Sequence, residues 1–404
     1  MKIVLSSRGS RGDIYPILEI ASALQNEGHD VIAGIPETFA EEAKAKGLNV
    51  HLYREDSGKV MKEMGSGMNA SKNGLSFIAS SVSQQLDFML DEAKDADVLL
   101  TSVSEIAAPT VAEYLKTPFF RLAYAPVLPG DQPHPLLPLQ NLSPAMNRLS
   151  WKTFQLFSKY ILRKFLNDKR KELGLEPVKD PNRYFTGKSH TLLAINKELA
   201  PPSPDWQNRY NYRFSYTGYC FGHPEGELPK ELVEFIEKDE PPVYIGFGSV
   251  HIKDPDKFTD MVIEASRRSG KRIVLSRGWT GLGNKHYPDN IFVTGDTNHA
   301  ALFPRMAGVM HHGGSGTIHT GAKAGVPQFI MPEIIDQYYW SNRIFKMGIG
   351  PKPISSKKLT VKSLTKALEQ ISENEYRIKA EQLALKMKNE NGVEEIVKTI
   401  TKGF

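Results

Sequence analysis

The chain has 404 residues, room for two domains of ordinary size, and its 40% hydrophobic and 24% charged residues are the balance of an ordinary globular protein. A net charge of only +5, with lysines and arginines spread along the chain, excludes a dedicated nucleic-acid binder but not an anionic substrate. The single cysteine, Cys220, excludes an internal disulfide framework and any multi-cysteine metal site.

The opening residues, MKIVLSSRG, run straight into a strand pattern over 2–7. The apolar length ahead of Arg8 is too short for a secretory signal, and no run of about 18 apolar residues suits a membrane span, so the expected location is cytoplasmic. GSRGDIYP then turns into a helix with Ile14, Leu18, Ala21 and Leu24 on its apolar face, followed by a strand at 29–35. This is a βαβ unit of the kind that builds a doubly wound sheet. It lacks a dinucleotide fingerprint: only Gly9 and Gly12 are present, and the second strand ends in Pro36 ahead of Glu37. From its neighbours Asp13 reads as a helix N-cap, with Pro16 tolerated in the first turn.

Residues 55–90 are rich in Gly, Ser and Met and read as a long connection, expected to form a loop over an acceptor site. The strand–helix rhythm resumes after Asp97. Asp95 with Asp97, and Asp254 with Asp256, are acid-x-acid strings placed like solvated turns, and no metal is assigned to them. Residues 126–145 are apolar and Pro-rich, and a helical stretch runs from Met146 to near Leu173. Its Trp151, Phe154, Phe157, Tyr160 and Phe165 read first as core packing and alternatively as the wall of a greasy acceptor pocket. His134, alone in the loop, receives no role.

A polar stretch at 223–242 marks a boundary, giving an N-terminal domain over 1–222 and a second over 223–385, with 386–404 as a C-terminal helix. PVYIGFGSV opens the second sheet, and its GFGS turn mirrors the N-terminal SSRGS. Strands KRIVLSRGW and IFVTGD follow, with helices expected at 256–269, at 299–306 and, as a pair, over 357–404.

The most informative stretch is 307–343, AGVMHHGGSGTIHTGAKAGVPQFIMPEIIDQYYWSNR. A strand end, a Gly-rich turn and a helix start make a site that anions favour, because the first helical amides lack internal partners and the macrodipole is positive there. Gly313, Gly314 and Gly316 allow close backbone approach, Ser315 and Thr317 add hydroxyls, and a histidine can donate from its ring. HHGGSGT, AGVPQ, the acid-amide pair Asp336-Gln337 ahead of Trp340, and GIGPKPI at 348–354 together resemble the donor-sugar signature of the GT-B glycosyltransferases. The likeness is greatest to the branch of sterol, glycopeptide-antibiotic and macrolide glucosyltransferases. GSRGDIYP resembles the GSRGD-x-x-P segment of the same branch, in which the Asp lies between acceptor and donor as general base.

That resemblance implies an α/β fold of GT-B type, two Rossmann-like doubly wound domains facing across a cleft, with the final helix crossing back onto the first. It implies an inverting transfer of a hexose, glucose from UDP-glucose, to a hydroxyl of a hydrophobic acceptor such as a sterol, lipid, polyphenol or polyketide. Asp13 would be the base. His311, Gly313, Gly314, Ser315, Gly316 and Thr317 would stabilise the leaving diphosphate, with Ser249 and, from the first turn, Ser10 and Gly12. Asp336 and Gln337 would hold sugar hydroxyls, and Arg277 or Trp279 would flank the base. On a strand end His311 and His312 point to opposite sides, and the first is expected to face the phosphate with the second packed beneath the turn. The nucleotide-sugar is then a co-substrate, with no further cofactor, no metal and no nucleic acid, and peripheral membrane contact is compatible with an apolar acceptor. Uridine and deoxythymidine donors both fit. A nucleotide-sugar epimerase of the same shape and a non-catalytic nucleotide-sugar binder are the competing readings.

Overall fold

The computed structural model describes residues 1–54, 72–187, 189–221, 226–248, 252, 254–278 and 285–402, the side chains of 72–77 excepted. The chain forms two compact units, one of Met1–His134, Asn141–Gly222 and Asn391–Phe404, the other of Pro135–Gln140 and His223–Glu390.

The first unit is built on a seven-stranded sheet of order β3-β2-β1-β4-β5-β6-β7, parallel throughout. Its strands are β1 (Lys2–Ser6), β2 (Asp30–Pro36), β3 (Val50–Tyr53), β4 (Val98–Ser102), β5 (Phe119–Ala123), β6 (His190–Leu193) and β7 (Phe214–Tyr216). The helices that matter below are α1 (Arg11–Asn26), α2 (Lys72–Glu92) and α3 (Pro144–Phe165). The unbroken apolar run of β1 reflects burial on both faces. Ile3 and Leu5 pack with Ile14, Ile17 and Leu18 of α1, while Val4 packs with Phe88 and Met89 of α2.

The second unit carries a five-stranded parallel sheet of order β10-β9-β8-β11-β12. These strands are β8 (Val243–Gly246), β9 (Ile273–Ser276), β10 (Ile291–Thr294), β11 (Gly308–His311) and β12 (Gln328–Ile330). Helix α4 (Ser315–Lys323) follows β11 and α5 (Gln337–Lys346) follows β12. The last helix, α6 (Gly392–Thr401), belongs to the first unit, where Ile396, Val397 and Ile400 pack in the cluster that contains α1.

Three expectations of secondary structure are corrected. Much of 55–90 is not loop, because 72–92 form α2, whose Val82, Leu86, Phe88 and Met89 enter the core; the proposed lid residues 55–71 lie outside the described residues. The long helix from Met146 ends at Phe165, where Leu166 leaves helical geometry, and a short helix Asn167–Glu172 follows. The tail over 357–404 holds three helices rather than two, Val361–Gln370, Asn374–Met387 and α6, because Asn391 caps a fresh start by accepting from the Glu394 amide at 3.3 Å.

GIGPKPI has a structural task. It runs beside β12, with the Gln328 amide donating to the Ile349 carbonyl at 3.1 Å and the Ile354 amide to Ile330 at 3.3 Å. A Cβ on Gly350 would collide with the Gln328 carbonyl oxygen, a backbone atom with no room to yield. Gly350→Ala is therefore expected to cost about 2 kcal/mol or more of stability, read as a lowered denaturation midpoint.

Candidate active site

In both sheets the strand order reverses beside the first strand, between β1 and β4 in one and between β8 and β11 in the other. Open parallel sheets bind ligands in the crevice at that reversal, outside the carboxyl ends of the strands. The turns predicted from sequence as functional leave those strand ends.

The first turn joins β1 to α1. Helix α1 begins at Arg11, so Ser10 is its N-cap and Asp13 its third residue, not the cap. The carboxylate reaches back instead. Oδ2 accepts from the Ser10 amide at 2.8 Å and from the Ser10 hydroxyl at 3.2 Å, the reverse half of a capping box. Ser10 is thus engaged with Asp13 through both its amide and its hydroxyl. Gly9 makes the closeness feasible: its φ of +128° lies in glycine territory, and a Cβ there would collide with Asp13 Oδ2. From the other side the Ser7 hydroxyl donates to the Asp13 carbonyl at 3.2 Å and the Tyr124 hydroxyl at 3.1 Å. Desolvation pushes the Asp13 carboxyl up to about 6, against the opposing pull of the two Ser10 bonds. At neutral pH such a group is still ionised and is a stronger base than an ordinary aspartate. Gly12 is exposed, with only the Ser10 hydroxyl within reach of an added Cβ, at 3.8 Å.

Beneath this turn lies a group that the sequence reading missed. Arg8 is buried, its guanidinium carbon 3.7 Å from the centre of the Tyr53 ring and its Nε 3.7 Å from Glu105 Oε1. The Ser104 hydroxyl donates to the Arg8 carbonyl at 3.2 Å, and the Tyr53 and Ser6 hydroxyls are 2.6 Å apart. Residues after β1 and β4 and at the end of β3 thus fix the backbone directly before Gly9. The available signal was an arginine immediately after a buried strand, a position where a charge needs a partner.

The second turn follows β11, and here the expected orientation of the histidines is corrected. The His311 ring is buried, and both its nitrogens are committed: Nδ1 accepts from the Gly313 amide at 3.2 Å and Nε2 lies 3.0 Å from Gln328 Oε1. A ring that accepts at Nδ1 carries its proton at Nε2, so His311 is a neutral strut. Burial, and next the neighbouring His312, lower it to about 3. Gln328, buried in β12, also donates from Nε2 to the Ile318 carbonyl at 3.1 Å, tying His311 to α4. His312 is the more exposed ring. It lies over Gly314, whose added Cβ would be 2.6 Å from His312 Nε2, and beside Gly248 of the β8 turn, at 3.4 Å. Its Nδ1 is buried with no partner, and burial lowers the ring to about 4.

Gly314 caps α4, whose first turn holds Ser315, Gly316 and Thr317 and no acidic residue. The amides of these residues are the orphan donors of a helix start. The Ser315 hydroxyl is 3.4 Å from His319 Nδ1, so it faces inward, whereas Gly316 and Thr317 are half-buried. Gly313, at φ +94°, is tight against Ile330.

Asp336 and Gln337 are the N-cap and first residue of α5. Buried Gln337 folds the preceding loop over itself, Oε1 accepting from the Glu333 amide at 2.9 Å and the Ile334 amide at 3.1 Å, while Ile335 sits at φ +48°. That left-handed setting is strained for a β-branched residue, as functional loops often are. Asp336 Oδ2 accepts from Trp340 Nε1 at 2.9 Å. Arg277 is exposed just beyond β9, and a Cβ on the adjoining Gly278 would be 2.8 Å from the Gly248 carbonyl oxygen. Ser249 and Trp279 lie outside the described residues. Among the described residues no cluster of His, Cys, Asp or Glu could hold a metal ion. Asp97 accepts from the Lys2 amide at 2.8 Å, at the sheet end opposite Asp13, and Asp254 caps a helix by accepting from Lys257 at 3.1 Å.

Residues 271–402 match the family described as "Erythromycin biosynthesis protein CIII-like, C-terminal domain". Two sterol 3-beta-glucosyltransferases of Arabidopsis thaliana are each 32% identical over 100% and 97% of this chain, which spans only 65% and 66% of their length. Glycosyltransferase GtfE of Amycolatopsis orientalis is 32% identical over 95% of this chain and 93% of its own length. The fold is that of the solved glycotransferase of kitacinnamycin, with a TM-score of 0.75, 19% identity, and 99% and 98% of the two chains covered. The chain belongs to the GT-B glycosyltransferases, in the family that holds the sterol glucosyltransferases and the glycopeptide and macrolide antibiotic glycosyltransferases.

Proposed function

We propose that the protein is an inverting, metal-independent glycosyltransferase that moves glucose from UDP-glucose to a hydroxyl of an apolar acceptor such as a sterol, lipid, polyphenol or polyketide. The observation that carries this is Asp13: in a chain of this family, a carboxylate at the sheet's ligand-binding edge is held by Ser10 and raised to about 6 by desolvation. The sterol 3-beta-glucosyltransferase names of the Arabidopsis relatives favour glucose and a sterol-like alcohol.

In this reading Asp13 takes the acceptor proton as the acceptor oxygen bonds to the anomeric carbon. The bond from that carbon to the diphosphate breaks, and attack from the face opposite the leaving group inverts the centre. The charge left on the diphosphate is met by the first amides of α4, the Thr317 hydroxyl and the His312 ring, which we assign in place of His311. Asp336 and Gln337 hold sugar hydroxyls, and Arg277 lies toward the nucleobase. The first amides of α4 are held by the helix before the substrate arrives, which supports departure of the leaving group without a metal.

The test is incubation with labelled UDP-glucose and a panel of apolar alcohols, with excess chelator in parallel, followed by product masses. The expected result is a hexose-extended alcohol at similar yield in both arms. An epimerised nucleotide-sugar would identify an epimerase, intact bound donor a binder, and loss of product restored by magnesium a metal-dependent enzyme.

A further inference from the structure

Helix α3 carries an apolar stripe on its outer face. Trp151, Ile161 and Leu162 seat its inner face, and His134 stacks on Trp151 at 3.8 Å. The expectation that its aromatic residues form core holds only for this side. Met146, Leu149, Leu156, Phe157 and Tyr160 are exposed, at 47, 52, 71, 54 and 51%. At about 100° per residue these five fall within an arc of roughly 100°. Lys152, Lys159 and Arg163 run along one flank of that arc, and Lys164 sits at its end, its Nζ 5.8 Å from the Tyr160 ring centre. The helix contains no acidic residue, and among the described residues Arg148 is the one of its basic residues turned to a carboxylate, Asp205, at 2.7 Å.

Scattered exposed apolar residues are ordinary, but a continuous stripe edged by cations is the pattern of a helix lying in a membrane interface. We propose that α3 docks the protein onto the surface of an anionic phospholipid bilayer. The stripe enters the boundary between headgroups and acyl chains, and Lys152, Lys159, Arg163 and Lys164 extend to the lipid phosphates. Charge selects this occupant. A symmetric pairing of two copies would set the same cationic helix against itself with none of its own acids to answer, whereas an anionic surface meets every cation. The attachment is peripheral, since no helix among the described residues is long and apolar enough to cross a membrane. It stands apart from the reaction proposed above and holds whatever the acceptor is.

The test is co-sedimentation of the full chain with phosphatidylcholine vesicles, with and without phosphatidylglycerol. The protein is expected to pellet with the anionic vesicles, to be released by salt, and to stay in solution with the neutral ones. Lys152→Gln/Lys159→Gln/Arg163→Gln is expected to weaken partitioning on the order of 10²-fold. Leu156→Ser/Phe157→Ser should weaken it about tenfold or more, and both variants should keep the wild-type melting temperature because the changed side chains are exposed. Failure to bind anionic vesicles at low salt would overturn the proposal. So would binding that ignores both sets of changes, or a wild-type dimer in light scattering that the serine variant converts to monomer, which would assign the stripe to a second copy.

Discussion

Asp13→Asn is expected to lower sugar transfer by roughly 10²-fold or more while leaving the fold intact. Asn keeps an oxygen that can accept the Ser10 amide and hydroxyl, so the turn is retained; an amide cannot take the acceptor proton. Stability gives the internal control. The Asp13 carboxyl is raised by burial from 3.8 to about 6, so the folded chain holds this proton more tightly than the unfolded one. Its contribution to stability is therefore greatest below pH 4 and declines as pH rises to 6. Above that window ionisation costs on the order of 1–3 kcal/mol. The Asn variant should melt no lower than wild type at pH 7, and the two should converge in acid. Wild-type turnover should rise as pH passes through about 6 and then level, and the residual rate of the variant should lack that rise. An Asn variant as active as wild type would remove Asp13 from the chemistry.

The two adjacent histidines should separate cleanly. His312→Ala is expected to reduce kcat/KM for the donor about 10²-fold, the usual effect of removing one donor from a developing charge, with little change in melting temperature. His311→Ala strands the Gly313 amide and Gln328 Oε1 in the interior and leaves a cavity, so it should cost about 2–4 kcal/mol of stability. The pairing of donor titration with thermal denaturation checks both. A donor defect confined to His311→Ala would return the phosphate to the first ring.

The sequence carried the strands and the two Gly-rich turns plainly, because buried parallel strands and helix starts leave strong local patterns. What it concealed depends on partners distant in the chain. Strand alternation put His311 and His312 on opposite sides, but which side is inward is decided by Gln328, 17 residues later, whose amide captures the His311 ring. Asp13 read as a cap because it precedes an apolar face; the helix starts three residues sooner, and Gly9 lets the carboxylate fold back. Arg8 with Glu105 joins turns 97 positions apart and leaves no local pattern at all. The aromatic content of α3 was legible, but its division into an inner and an outer face required the neighbours that cover only one of them.

The most direct measurement is the anomeric configuration of the product formed from UDP-glucose, whose glucose is α-linked, read by proton NMR with chelator present. An in-line attack assisted by Asp13 predicts a β-glucoside from the wild-type protein and almost none from Asp13→Asn. An α-glucoside, or a β-glucoside formed equally well by both proteins, would contradict it.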